Sequence, residues 1–464
     1  MRNLLCVSAM IVLSVAVLAG SAFAQGIRPW PENPCYWEFR GKPELLLGGS
    51  IDDDLFQCEG FEQQLDTLVA CGGNVIRNTM SSSDTTRPWP FAKTGDKYDL
   101  DRFNPEYWDR FSRLLEAASR RNVVVQVEIW ATFNYYRESW TLFNPFNPAH
   151  NINYTPEESG LPTVNSSHPT RADNPFFRTV PKYMNNKVVL PYQERFVDKI
   201  LSCTLNYDNV LYAMDNETSA DPRWGEYWAE YIKKKALGAG REVYVTEMWD
   251  PWDLKHEWHL YTIDHPETYN FLDVSQNNWQ EGQRHQDALA YVRERISDNP
   301  RPINNTKVYA MRGGERWLNS RLAVSRFWGN VWGGCASTRF HRPTPAGHGI
   351  GINHNARRAI KGIRELLAHF DIFHSTVQDR LLKDRAEDEA YCLGCEGRSW
   401  AVMFPDGGRV LLDVQEAPEG ARFEVRWFDA DYLAWQEPYQ IEAASMLPLG
   451  TPGNGRWVAL INLK

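Results

Sequence analysis

The chain of 464 residues is short of several things, and each shortage removes a class of protein. Past its first two dozen residues it has no apolar run near the roughly 20 residues that a membrane helix needs, so no membrane span is expected. It lacks a positive excess: the formal net charge is -9, which gives no reason to expect nucleic acid as a partner. Cysteine is scarce. Of eight, Cys6 falls in the leader, leaving Cys35, Cys58, Cys71, Cys203, Cys335, Cys392 and Cys395, an odd number that demands at least one free thiol. Cys392 and Cys395 form a lone C-x-x-C with no second pair, whereas a zinc site takes about four ligands. A local disulfide or inert thiols is the simpler reading, and no metal or other cofactor is expected. The run Asp52 to Asp54 lacks the Gly and Glu positions of a calcium loop and reads as a solvated acidic loop. There is no phosphate-binding glycine loop, no H-E-x-x-H, no triad order, no internal repeat and no low-complexity tail.

What is present begins with a leader. Arg2 is its basic start, Ile11 to Leu18 its apolar core, and Ala22-Phe23-Ala24 a small-residue cleavage site. Cleavage after Ala24 predicts a secreted or periplasmic mature chain. Aromatic residues are abundant, with 19 Trp, 20 Tyr and 21 Phe, many of them outside periodic apolar runs. Exposed rings offer flat faces on which sugar C–H groups stack, and buried rings fill a large core; both uses are expected here.

From Glu44 onward, strand and helix patterns alternate. Strands are expected at 44–48, 74–79, 122–130, 210–214, 242–247, 271–275, 303–310 and 331–337, with amphipathic helices between them. Eight such units close a barrel, so residues 25–378 read as a (β/α)8 barrel following a leader of residues 1–24. The aromatic stretch 131–188 is too long for an ordinary loop and reads as a folded wall over one rim. After 378 the pattern turns to short alternating runs separated by Asp406-Gly407-Gly408 and Pro452-Gly453-Asn454-Gly455. Residues 379–464 are therefore expected to form a small antiparallel β-sandwich.

The organising stretch is Asn209 to Glu217, NVLYAMDNE. A strand run ends in Asp215, Asn216 and Glu217, and Asp221-Pro222 opens the next helix with a good cap and a favoured first residue. In a barrel that loop sits on the catalytic face. Glycosidic bond cleavage uses two carboxyls, one of them a proton donor, and Glu217 is the expected general acid. Strand ends elsewhere supply Asp53, Arg77, Glu128 with Trp130, Asn216, Glu247 with Trp249 and Asp250, Asn277 with Asn278, Lys307 with Tyr309, and Arg339 with His341. Polar groups converging at one mouth and walled by rings make a sugar-binding cleft.

On GKPELLLGGS, MDNET, VTEMWDPWDL, DVSQNN, PINNTKVY and GGCASTRFHRP the chain resembles clan A glycoside hydrolases. Within them it resembles cellulase-like and apiosidase-like barrels that carry a C-terminal collagen-binding-type sandwich. The resemblance implies Glu217 as acid/base at the end of strand four and a nucleophilic Glu at the end of strand seven. Strand seven offers Asn304-Asn305-Thr306-Lys307-Val308-Tyr309 and no carboxylate. Glu247 is then the first choice for the second carboxyl, followed by Asp250, Glu128 and Glu315. The expected partner is a polysaccharide or oligosaccharide substrate, and the sequence sets no oligomeric state. Two other readings stand beside hydrolysis. One is a non-catalytic sugar-binding barrel; the other is a matrix-binding protein acting through Trp427, Phe428, Trp435 and Tyr439 of the sandwich.

Overall fold

The computed structural model describes residues 26–464 except 83–85, 166–172, 313–317, 344–347, 396, 416, 417, 419, 443 and 444. The leader, its cleavage site and Glu315 lie outside the described residues.

Eight parallel strands form the central sheet: β1 (Leu46–Gly49), β2 (Val75–Thr79), β3 (Val124–Trp130), β4 (Val210–Asp215), β5 (Val245–Thr246), β6 (Leu272–Asp273), β7 (Ile303–Val308) and β8 (Ser337–Phe340). Their order is β5-β4-β3-β2-β1-β8-β7-β6, and the Asn270 N–H donating to the Val245 carbonyl at 3.0 Å joins the two ends into a near-closed barrel. A helix follows each strand: α1 (Phe61–Ala70), α2 (Pro105–Arg120), α3 (Leu190–Thr204), α4 (Pro222–Gly238), α5 (Glu257–Asp264), α6 (Gly282–Arg295), α7 (Ser320–Trp332) and α8 (His354–Leu367). The helix starts follow from local chemistry. Asn104 and Asp221 each cap a helix that opens with Pro, their side chains accepting from the N–H of Glu106 and Arg223.

One expected strand sits elsewhere. Val331 and Trp332 extend α7 rather than opening strand eight, because both continue its buried face. Gly333 and Gly334 then end the helix, Gly334 with φ of 82°. β8 therefore starts at Ser337, and Arg339 lies inside the strand with its side chain fully buried.

The N-terminal hairpin plugs the bottom of the barrel, where the Trp37 indole donates to Asn304 Oδ1 at 3.0 Å. The described residues of the stretch 131–188 form a packed wall. Tyr135, Trp140, Phe146, Phe176 and Phe177 are all buried in it, and their rings cluster around Trp130. Beyond α8 the chain builds antiparallel sheets, beginning with Thr376–Val377 paired to Tyr391–Cys395. One sheet face packs on α7 and α8, and the Trp332 indole donates to the Ala401 carbonyl at 3.1 Å across that seam. Of the four sandwich aromatics considered for matrix binding, Trp427 and Phe428 are buried. Trp435 donates to Glu365 of α8, and Tyr439 alone is exposed. The seven cysteines after Cys6 are all free thiols. No helix among the described residues is long and apolar enough to cross a membrane.

Candidate active site

β4 delivers the chain to the barrel mouth. Glu217, just past it, has φ of 54°, a left-handed conformation that costs a non-glycine residue roughly 1–3 kcal/mol. The neighbouring backbone holds it there. The Asn216 N–H donates to the Trp130 carbonyl at 3.0 Å, and the Thr218 N–H to the Met248 carbonyl at 2.9 Å. The Thr132 hydroxyl reaches the carbonyls of Asn216 and Glu217.

Arg77, in the middle of β2, is the hub of the mouth. Its Nη1 donates to Asp53 at 2.6 Å, its Nε to Glu128, and its Nη2 to Asn216 Oδ1 at 2.9 Å. Arg342 takes the other Asp53 oxygen. From β7, Lys307 donates to Asn216 Oδ1 and pairs with Glu217 Oε1 at 2.7 Å. The Tyr309 hydroxyl donates to that same Glu217 oxygen at 2.8 Å. His341 Nδ1 lies 3.4 Å from Arg77 Nη1. Burial holds His341 well below the usual histidine range, so it is neutral and its Nδ1 accepts from the guanidinium.

Exposure separates the three acids of this network. The side chains of Asp53, Glu128 and Lys307 are 8%, 0% and 3% exposed, whereas Glu217 is 30% exposed. A ligand at the mouth therefore meets Glu217. Burial works against its charge, but the Lys307 ammonium, the hydrogen bonds from Lys307 and Tyr309, and the Arg77 guanidinium pull it down to about 2. Burial likewise opposes the Asp53 charge, and the cations Arg77, Arg342 and Lys307 outweigh it, holding Asp53 well below its ordinary value. Burial raises Glu128 despite its bond to Arg77. Burial also lowers Lys307, against the pull of Glu217.

Asp53, Arg77, Glu128, Asn216, Glu217, Lys307, Tyr309 and His341 thus come together. The acidic loop is not solvated: Asp53 joins the hub, and Arg87 bridges Asp52 and Asp54 at 3.1 and 2.5 Å. Arg339 lies beneath the mouth, donating to the Thr306 carbonyl at 2.7 Å and to the Ser50 hydroxyl, out of reach of a ligand. Trp130 does not share the surroundings of Glu128; its ring packs on Trp224 and Trp228 of α4, at 5.5 and 5.1 Å between centroids. Trp249 is buried too, stacked on Trp258 and donating to Thr262 Oγ1 at 2.7 Å. Neither ring can floor a sugar. Asn277 faces away, donating to the His285 carbonyl at 3.1 Å, and Asn278 braces β7 by donating to the Lys307 carbonyl at 2.8 Å.

Glu247 does not face Glu217. Its Oε2 points into α4, where a β-carbon added at Gly225 would meet it at 2.3 Å, and the side chain is fully buried. Asp250 is the strand-five acid at the mouth. It is exposed, its N–H donates to the Thr218 carbonyl at 2.8 Å, and both it and Glu217 push up the Tyr136 hydroxyl, after burial. Sequence reasoning did not single out Arg342, Tyr136 or Trp279, whose ring lies 4.9 Å from that of Tyr309. Arg342 was within reach as the residue next to His341. Tyr136 arrives from the wall, and no local pattern announces it.

The fold and the site together define an eight-stranded parallel barrel whose mouth carries a carboxylate at the end of β4, with an antiparallel sandwich behind. No protein-family model and no curated protein matches the chain by sequence. Solved structures match it by shape. A glycoside hydrolase superposes with a TM-score of 0.61 at 11% identity, covering 94% of this chain and 97% of its own. A family 5 glycoside hydrolase from Bacteroides vulgatus ATCC 8482 gives 0.62 at 12%, covering 94% and 93%. A further protein of that organism gives 0.64 at 13%, covering 96% and 84%. Such coverage takes in barrel and sandwich alike. At these identities the likeness shows the shared fold.

Proposed function

We propose that the chain is a glycoside hydrolase that cleaves O-glycosidic bonds of a polysaccharide or oligosaccharide at the barrel mouth. The observation that carries this reading is Glu217: a reachable carboxylate, held in a costly backbone conformation at the end of β4 and fixed by Lys307 and Tyr309. Active sites of such barrels lie on this face, and stored strain clusters at functional positions.

The surroundings revise the role expected for Glu217. A resting proton donor needs a raised pKa, and Glu217 is pulled down to about 2. It fits the ionised member of the pair, nucleophile or base. Asp250, which faces the Tyr136 hydroxyl together with Glu217, is the carboxyl we assign as its partner. Arg77 is fully buried and works from beneath the mouth, holding Asn216 beside Glu217. Tyr136 also borders a hollow of about 620 Å³ lined by Phe133, Leu142 and Val164, which offers apolar surface to a neighbouring sugar unit.

One observation favours a second reading. Lys307 occupies Glu217 and stands on the strand where the resemblance implies a nucleophile, as a barrel that only binds sugar would allow. A release assay on plant, algal and host glycans separates the two, with wild type run beside Glu217→Gln and Asp250→Asn. Release by wild type and its loss in both variants supports the pair. Equal release by all three overturns it. Retention of a glycan without release moves the binding reading ahead. The leader carries the further proposal of action outside the cytoplasm, tested by whether the mature chain starts at Gln25 when expressed with its leader.

A further inference from the structure

Two carboxyls stand behind β4, where the proposed reaction does not use them. β5 is only two residues long, pairing Val245 with Tyr212 and Thr246 with Ala213. Where the next ladder bond would fall, a side chain replaces the backbone: Glu247 Oε1 accepts the N–H of Asp215 and of Met248, each at 2.9 Å. Asp215 Oδ1 accepts from the Trp224 indole at 3.3 Å. The second oxygens, Asp215 Oδ2 and Glu247 Oε2, are buried and have no donor, and the buried Tyr269 hydroxyl has no partner either. Gly225 makes the space for Glu247 Oε2 and the Tyr269 hydroxyl, since a β-carbon there would stand 2.3 Å from the first and 3.2 Å from the second.

The two side chains are within hydrogen-bonding reach of each other, but two carboxylates hold no proton to donate. We infer that Asp215 and Glu247 hold one proton between them, and that this pair positions the ends of β4 and β5, setting the spacing from which Glu217 and Asp250 depart. Its consequence for turnover rests on the hydrolase reading; the shared proton does not. The groups facing the pair are Glu128 of β3, Tyr135 of the wall and Tyr269 before β6, with Tyr261 and Glu226 behind Tyr269. All are acids; the Trp224 indole, the Thr218 hydroxyl and the two backbone N–H groups favour the charged form but carry no positive charge. Burial pushes Asp215 up to about 8 and, with Asp215 beside it, drives Glu247 well above its ordinary value. When the last shared proton leaves, two like charges face each other in a dry space and the spacing opens.

Glu247→Gln tests this. The amide keeps an acceptor for both backbone N–H groups, donates to Asp215, and cannot ionise. We expect it to hold kcat/KM within about threefold at neutral pH and to move the alkaline limb up by about one pH unit or more, while Glu247→Ala lowers kcat about tenfold with little change in KM. Independently of any substrate, the wild-type unfolding temperature should fall more steeply than that of Glu247→Gln between pH 4.5 and about pH 8. Parallel curves in that experiment overturn the pair even if the enzyme is active. Divergent curves with no glycan cleaved support the shared proton and sink the hydrolase reading instead.

Discussion

Asp215 and Glu217 are two residues apart at the end of one strand, and folding drives them in opposite directions. Asp215 turns into the dry layer between β4 and α4, meets another carboxyl there, and rises to about 8. Glu217 turns to the mouth, meets Lys307 and Tyr309, and falls to about 2. Burial opposes charge at both. The company decides: hydrogen bonds from Trp224, Glu247 and Thr218 are too weak to undo burial at the first, whereas an ammonium and a guanidinium overcome it at the second. The same sequence context thus yields a buried acid with a raised pKa and a charged acid with a lowered one. The difference is carried by the left-handed turn at Glu217.

The sharpest break in this comparison is Glu217→Gln, which removes the charge at the mouth and leaves the pair behind untouched. Its kcat on whichever glycan is cleaved should drop by about 10²–10⁴-fold, and its unfolding temperature at neutral pH should fall because the buried Lys307 loses its carboxylate partner. Next is Arg77→Met. It strips Glu128 of its guanidinium and Asp53 of one of two, and should cost about 3–5 kcal/mol in denaturant unfolding. A cost near zero would mean the hub is not what steadies the mouth. Gly225→Ala attacks the other side of the comparison. Its β-carbon intrudes on Glu247 Oε2, and a loss of about 1–3 kcal/mol is expected; free tolerance would show that the acid pair has room to spare.

Lys307→Met makes the two acids more alike by letting Glu217 climb from about 2 toward its ordinary 4.5. A depressed acid stabilises the fold above its unfolded pKa and loses that contribution as pH falls toward the folded one. Wild type should therefore lose unfolding temperature between pH 4.5 and about pH 2 more steeply than the variant. The smallest effect expected is for Trp332→Phe, far from either acid. Losing its bond to the Ala401 carbonyl should cost about 1 kcal/mol without moving any pH profile.

The barrel was legible because periods of two and 3.6 alternate along the chain, and because caps such as Asp221-Pro222 mark where helices start. Val331-Trp332 misled, since a short apolar run fits a buried strand and a helix face equally well. At the mouth, Asp53, Arg77, Asn216, Glu217, Lys307, Tyr309 and His341 could be read from strand-end positions. Trp130, Trp249 and Glu247 could not be told apart from them, because lying near a strand end does not say whether a side chain turns to the mouth or to the helical layer.

By itself the sequence determined the fold class, the order of its elements and which strand ends carry polar groups. These are properties of local pattern and turn chemistry. Only the tertiary structure decided which carboxyl meets a lysine and which meets another acid. Charge state depends on neighbours brought from distant strands, and Lys307 reaches Glu217 across 90 residues of chain.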